Sequence, residues 1–282
     1  MTQPSSLIHD RQSVQALLQA YADKSESFFT GLKQIPGDPC GVSLRRFGAS
    51  RTCIARGHDW LNRATLTGDE SFEVIDAIIA HFNAHHQRCH IEWNPGNCHR
   101  TGTWNAELGV GLLARGFQPG SFRCVWHAPV PLDIPPHTSA VQLRHFGPDD
   151  KEEFLAALLA MEKKTAAEQE EMQAKFLFGQ RSRQWHHYVG YLDGQPCCTA
   201  TMFENGHIAY LDWGYTLESF RRRGCHGALI RQRMLDAHQA GCTLAASVTD
   251  VGLNSASTLQ GVGFRLAYNY VMLIRDPLPL SG

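Results

Sequence analysis

The chain has no run approaching the roughly 18 apolar residues of a membrane span, so a helical membrane protein is excluded. It has almost no net charge either: 26 Lys and Arg against 27 Asp and Glu leave a formal balance of -1. That removes the electrostatic footprint of a nucleic-acid or anionic-membrane binder and leaves a small molecule as the expected partner. Met1–Ile8 has neither the basic start nor the apolar core of a secretory signal, so a cytoplasmic location is expected. No Cys-x-x-Cys pair occurs, and the nine cysteines are odd in number and scattered. Cys53, Cys124, Cys197 and Cys198 fall inside strand-like runs, which suits reduced, buried thiols better than a disulfide framework. His85-His86-x-x-Cys89-His90 with Cys98-His99 matches no ordinary zinc spacing, and histidines ending a helix suit its dipole, so no metal is expected.

What is present is enough chain for two cores. At 282 residues it exceeds the usual single-domain range of ~100–200. Pro129-Val-Pro-Leu-Asp-Ile-Pro-Pro136 can continue neither a ladder nor a helix, which sets the expected division at 1–130 and 137–282. In the first part, residues 11–35 carry a broken helical stripe of one or two helices, followed by strands at Val42–Phe47 and Thr52–Arg56. Asp59–Gly68 reads as a further strand and Ser71–His85 as a helix with Ser71 at its N-cap. A strand at His90–Trp93, a helix near Trp104–Ala114 and a strand Phe122–Trp126 complete it.

In the second part a strand Ala140–Phe146 precedes a helix from Pro148 to about Lys163 and another over Thr165–Phe178. Asp193-Gly194 and Asn205-Gly206 then separate the strands 185–192, 195–203 and 207–216, a meander. A helix to Gly241, a strand Thr243–Val248, a helix 254–262 and a strand Leu266–Ile274 follow. The expected class is α/β with mixed sheets.

The most informative stretch is Thr216-Leu-Glu-Ser-Phe-Arg-Arg-Arg-Gly-Cys-His-Gly-Ala-Leu-Ile230, where the third meander strand runs into a helix N-terminus. Gly224 and Gly227 allow close backbone approach, and the first helical N–H groups have no intrahelical partner, so the turn suits a phosphate or pyrophosphate. Three arginines add charge; a solvated basic turn would carry the same pattern.

Arg221-x-x-Gly224-x-His226-Gly227-Ala228 resembles the pyrophosphate motif Arg/Gln-x-x-Gly-x-Gly/Ala of the GNAT acetyltransferase superfamily, with His226 where the second small residue is usual. Thr216, Ala240-Gly241-Cys242 and the Ser/Asn-rich turn before Gly263-Phe264 are similar to one branch of it, and the likeness covers residues 139–276. The second part has the GNAT order β-α-α-β-β-β-α-β-α-β. The resemblance implies acetyl-CoA, or another acyl-CoA, as cosubstrate and direct transfer of the acetyl group to a small-molecule amine acceptor. It implies a coenzyme cradle of Tyr215, Thr216, Arg221, Arg222, Arg223, Gly224, Cys225, His226, Gly227, Ala228 and Ser255. The alternatives are a non-catalytic acyl-CoA sensor and transfer of a longer or carrier-borne acyl group; a monomer or homodimer is expected.

For the base, Asp212 leads because it interrupts an apolar strand, and alternation puts Tyr210 on its face. A structural ion pair would place Asp212 there equally well. The family's thiolate donor, a Tyr four residues before Gly-Phe, is here Leu259; Tyr268 and Tyr270 on the last strand are the substitutes. Glu204 reads as a solvated surface residue, while Glu162 or Glu168 could meet a cationic acceptor.

The two parts resemble each other. Asp59-Trp60 answers Asp212-Trp213, and Leu112-x-x-x-Gly116-Phe117 answers Leu259-x-x-x-Gly263-Phe264. The reading is two GNAT-like domains in tandem. In the first, Leu66-Thr-Gly-Asp-Glu-Ser71 replaces the phosphate turn and puts acid where phosphate would sit, so that copy binds no coenzyme.

Overall fold

The repeated Leu-x-x-x-Gly-Phe pattern is one helix ending used twice. In the computed structural model, which describes residues 11–59, 61–66, 70–93, 106–131, 139–147, 149–161 and 164–278, Gly116 and Gly263 both take left-handed φ, 85° and 110°. Phe117 N–H donates to the Leu112 carbonyl at 3.2 Å and Gly116 N–H to Leu113 at 3.0 Å. Phe264 donates to Leu259 at 3.0 Å and Gly263 to Gln260 at 2.9 Å. These are the paired bonds of a Schellman ending, in which glycine takes the left-handed position at no steric cost and the residue after it packs back on the helix.

The chain divides into two compact units, Met1–Val125 with Leu266–Gly282, and Trp126–Arg265. The first holds α1 (Arg11–Leu32), β1 (Ser43–Phe47), β2 (Ser50–Ile54), β3 (Arg63–Thr65), α2 (Phe72–Ala84), β4 (Cys89–Trp93), α3 (Ala106–Ala114) and β5 (Gln118–Pro129), whose end from Trp126 counts with the second. The second holds β6 (Gln142–Phe146), α4 (Lys151–Met161), α5 (Ala166–Gln173), β7 (Trp185–Leu192), β8 (Gln195–Glu204), β9 (Ile208–Thr216), α6 (Cys225–Gln239), β10 (Leu244–Asp250) and α7 (Asn254–Val262). The last strand, β11 (Arg265–Arg275), belongs from Leu266 to the first unit.

In the first unit the strand order is β1-β2-β3-β4-β11-β5. β1 to β3 are antiparallel, and α2 carries the chain over to β4, parallel to β3. In the second the order is β5-β10-β9-β8-β7-β6, again an antiparallel run followed by a crossover through α6 to a parallel strand, β10. Each unit's run of strands mixes parallel and antiparallel pairs. The same succession in both halves, together with the shared helix ending, supports a duplicated architecture.

The compact units do not follow the expected division at residues 129–136. β11 pairs antiparallel with β4 from Val271↔Trp93 to Arg275↔Cys89, and Val271 and Leu273 join the core of Ile75, Ile78, Phe82 and Ile91. The ladder and that apolar burial hold 266–278 with the first unit, not with 139–265. The second core gathers Phe146, Phe154, Leu158, Phe176 and Val189.

Smaller differences have local causes. Residues 11–32 form one helix. Among the described residues the strand expected over 59–68 is β3, and Asp59 lies in the turn before it, so it does not occupy the strand position that Asp212 holds. Ser71 stands at the N-cap of α2 without a side-chain cap bond. The helix expected over Thr165–Phe178 is α5 followed by a π-helical turn, Ala174–Gly179. Trp60, Thr67, Gly68, Asp69, Trp104, residues 132–138, Pro148 and Glu162 lie outside the described residues.

Candidate functional site

β9 departs from regular strand where the motif begins. Asp212 lies opposite Thr201 and Tyr215 opposite Thr199, so three steps on β9 face two on β8: a one-residue bulge. Within it Trp213 has φ 52°, a left-handed conformation that costs a bulky residue ~1–2 kcal/mol. On its other edge β9 pairs with β10 only from Ile208↔Leu244 to Leu211↔Ser247, where Ser247 Oγ donates to the Leu211 carbonyl at 3.0 Å. Paired residues end there, although β9 continues to Thr216 and β10 to Asp250. The two strands therefore part at the bulge. Arg233 of α6, buried, fixes that point: its Nη1 donates to the carbonyls of Thr201 at 3.0 Å and Asp212 at 3.2 Å. Burial lowers Arg233 to about 10, which leaves it cationic at neutral pH.

The turn after β9 is built from two left-handed residues. Arg222 has φ 63°, and Gly224, at φ 80°, is the N-cap of α6. The first bond back along the helix is Ala228 N–H to the Gly224 carbonyl at 3.0 Å. Helical geometry therefore leaves the N–H groups of Cys225, His226 and Gly227 without an intrahelical acceptor. Arg221, Arg222 and Arg223 are all exposed around them. Arg221 Nε lies 3.4 Å from the Thr216 carbonyl, and Arg223 reaches Asp193 at 3.5 Å in a solvent-screened pair worth little. Thr216 Oγ1 is buried and has no hydrogen-bond partner among the described residues. Donors, cations and a helix N-terminus converge, the arrangement that holds phosphate.

His226 does not fill this turn. Its imidazole lies against Gly214 of the bulge, where an added Cβ would come 2.9 Å from its Cε1. Burial lowers it to about 4, so it stays neutral. Gly227 and Ala228 are buried in the first turns of α6, Tyr215 is exposed beside the bulge, and Ser255 is half-buried in the first turn of α7.

A pocket of about 210 Å³ opens on the bulge, lined by Lys175, Phe176, Thr199, Thr201, Trp213 and Tyr215 among others. Thr201 Oγ1 is buried without a hydrogen-bond partner among the described residues. Lys175 sits on the π turn, a distortion that re-aims side chains and recurs at functional sites. Burial lowers its amine to about 7, against the pull of the carboxylates of Asp212 and Glu171, so near neutral pH it is half deprotonated. Sequence reading missed Lys175; the only signal was a cation inside the apolar run 174–178.

The other expected residues are placed as follows. Asp212 is half-buried, and its charge acts on both Lys175 and Arg233. Tyr210 is buried, opposite Phe203 and Ala246. Tyr268 and Tyr270 fall in the first unit, buried near Glu92, which pairs with Arg63 at 3.1 Å. Burial pushes both phenols well above their ordinary range. They therefore do not share a compact unit with Asp212, because β11 joins β4. Glu204 is not a solvated surface group: half-buried, it lies 3.4 Å from His186 Nε2. Glu168 closes a capping box with Thr165, its N–H accepted by Thr165 Oγ1 at 3.3 Å and its carboxylate accepting from Thr165 N–H at 2.7 Å. His85 and His90 turn Nδ1 to the carbonyls of His81 and Asn62, at 2.8 and 2.7 Å; Cys98 and His99 lie outside the described residues.

No family model and no curated protein matches this sequence. Solved structures do match its fold. A tandem GNAT protein from the clavulanic acid biosynthesis pathway superposes with a TM-score of 0.65 at 14% identity, covering 97% of this chain and 98% of that one. A GCN5-related N-acetyltransferase from Kribbella flavida gives 0.61 at 19% identity, over 92% and 96%. One from Sphaerobacter thermophilus gives 0.55 at 12%, over 82% and 81%. At such identities what is shared is the fold, and that fold is the tandem GNAT architecture.

Proposed function

We propose that this protein is an acyl-CoA-dependent N-acyltransferase, with acetyl-CoA as the first donor to test, acting on a small amine at the second unit. The observation that carries the reading is the parting of β9 from β10 at a bulge that leads directly into the Gly224-capped, arginine-flanked start of α6. The residues fit the cosubstrate. The N–H groups of Cys225, His226 and Gly227 with Arg221–Arg223 would take its diphosphate, Thr216 Oγ1 is a buried polar atom with no partner among the described residues, and the freed edge of 212–216 offers backbone groups to the pantetheine amides.

Direct attack requires a neutral amine and a base to receive its proton. Lys175, lining the pocket and poised near 7, takes that proton, and Asp212 beside it favours the ammonium so formed. In this reading Asp212 supports the base rather than serving as it. The pocket's modest volume supports a small acceptor over a polymer. Leu259, buried at the helix ending where the family's thiolate donor stands, favours a second reading, a coenzyme-binding protein without turnover.

The test is release of free coenzyme A from acetyl-CoA with a panel of small amines, beside calorimetric titration of the coenzyme. Binding with turnover on any amine supports the first reading, and binding with none supports the second. No binding of acetyl-CoA or of longer acyl-CoA removes both.

A further inference from the structure

Two thiols adjacent in sequence, Cys197 and Cys198, meet a third from 28 residues further on at the root of the α6 turn. On β7 and β8, Gly190 lies opposite Cys198 and Tyr191 opposite Pro196, so Cys197 is an extra residue on β8. Regular strand geometry would send Cys197 and Cys198 to opposite faces. The bulge breaks that alternation and brings their Sγ atoms to 3.9 Å. Gly190 makes room: a Cβ there would stand 2.4 Å from Cys198 Sγ. The third thiol is Cys225, the first residue of α6, with Sγ 3.9 Å from Cys197 Sγ. All three sulfurs lie within 4.8 Å of one another, and their residues are 0%, 0% and 2% exposed.

We propose that Cys197, Cys198 and Cys225 form a site for a divalent thiophilic d¹⁰ cation, zinc or cadmium. With Zn–S bonds of about 2.3 Å, sulfurs around one ion stand about 3.8 Å apart in a tetrahedral site and about 4.0 Å in a trigonal one. The two 3.9 Å separations already match that span. The chemistry balances simply: one divalent ion enters, three thiols lose their protons to solvent, and the site carries a single negative charge. Two features oppose that charge, the N-terminus of α6 at Cys225 and the guanidinium of Arg223, whose field reaches Cys197. The thiols give up weak bonds from Cys197 to the Gly190 carbonyl at 3.2 Å and from Cys225 to Phe220 at 3.5 Å; burial also holds the Cys197 and Cys198 thiols above their ordinary range, a cost that bonding to the divalent ion has to offset. An ion there staples the β8 bulge to the first turn of α6.

The test uses the full chain, reduced and stripped of metal, titrated with Cd²⁺ and Zn²⁺. Expected are a thiolate-to-metal charge-transfer band saturating at one Cd²⁺ per chain and release of three protons. X-ray absorption of the zinc form should show three sulfurs at about 2.3 Å. Cys197→Ser and Cys198→Ser should each lower metal affinity by about 100-fold or more, since loss even of an outer-shell partner costs up to that, whereas Cys40→Ser and Cys124→Ser should not. A band that survives both inner substitutions, or vanishes with Cys40→Ser or Cys124→Ser, overturns the site. Should the inner variants fail to fold, fewer than three sulfurs around zinc in the unaltered protein overturns it equally. None of these readouts depends on acyl transfer.

Discussion

Lys175 Nζ stands 2.7 Å from the centroid of the Trp213 ring, so the π turn after α5 meets the left-handed residue of the β9 bulge across the pocket. The ring face favours the ammonium, as do the carboxylates of Asp212 and Glu171. Burial disfavours it and dominates, leaving the amine near 7. A titrating lysine thus lies against the left-handed residue of the bulge, at the place where β9 leaves β10.

Acyl transfer should rise with pH through about 7 as Lys175 loses its proton. Lys175→Met should abolish that limb and slow kcat/KM by roughly 10²–10⁴-fold, the usual worth of a positioned base. A pH–rate profile of both proteins decides it; a limb unchanged in the variant removes Lys175 from the mechanism.

The same lysine makes a stability prediction of defined sign. Its folded value, about 7, lies below the ordinary 10.5, so between those values the unfolded chain binds more protons and stability rises with pH. Below about 7 both states are protonated and the full cost of burying the ammonium is present. Lys175→Met should thus gain most at pH 6 and progressively less toward pH 10. Urea denaturation across that range is the measurement, and a gain growing with pH would contradict it.

Asp212→Asn separates partner from base. Removing the carboxylate that favours the ammonium should lower Lys175 further and move the rate limb to lower pH, on the order of one unit. Coenzyme affinity by calorimetry should hardly change. Turnover lost at every pH with no shifted limb would make Asp212 itself the base.

Gly214 and His226 should be coupled. An alanine methyl at Gly214 would come 2.9 Å from His226 Cε1, an overpacking expected to cost about 1–3 kcal/mol. Gly214→Ala in a His226→Gly background should recover most of that loss. Thermal denaturation of the double-mutant cycle checks it, and strict additivity would refute the contact.

Gly224→Glu should weaken acetyl-CoA binding by about 100-fold or more, from the bulk and charge of a carboxylate beside the phosphate donors, and should separately cost ~1–2 kcal/mol of stability in left-handed strain. Calorimetry reads this directly; unchanged affinity would move the phosphate site elsewhere.

Much of the architecture was legible because its signals are local. Asp193 and Gly194 take positive φ, 54° and 76°, as the Asp-Gly hairpin signal requires, and Gly206 does so at 90°. The glycine that caps α6 was readable from the motif, and the twin helix endings from Leu-x-x-x-Gly-Phe. Lys175 was not readable, since a lysine in a run that reads as helix is ordinarily solvated; its lowered value comes from burial on a π turn beside Trp213. The bulge at Trp213 was equally hidden, because the count of residues on β9 has meaning only against the count on β8.

The sequence by itself determined the meander, the crossover helix, the glycine turn that opens it and the doubled plan, all set by turn chemistry and periodicity within a few residues. Tertiary structure alone decided that β11 pairs with β4, that Tyr268 and Tyr270 belong to a different compact unit from Asp212, and that Cys197, Cys198 and Cys225 converge. Ladder pairing and burial join segments tens to hundreds of residues apart, and local propensity carries no record of which distant strand or side chain will be the neighbour.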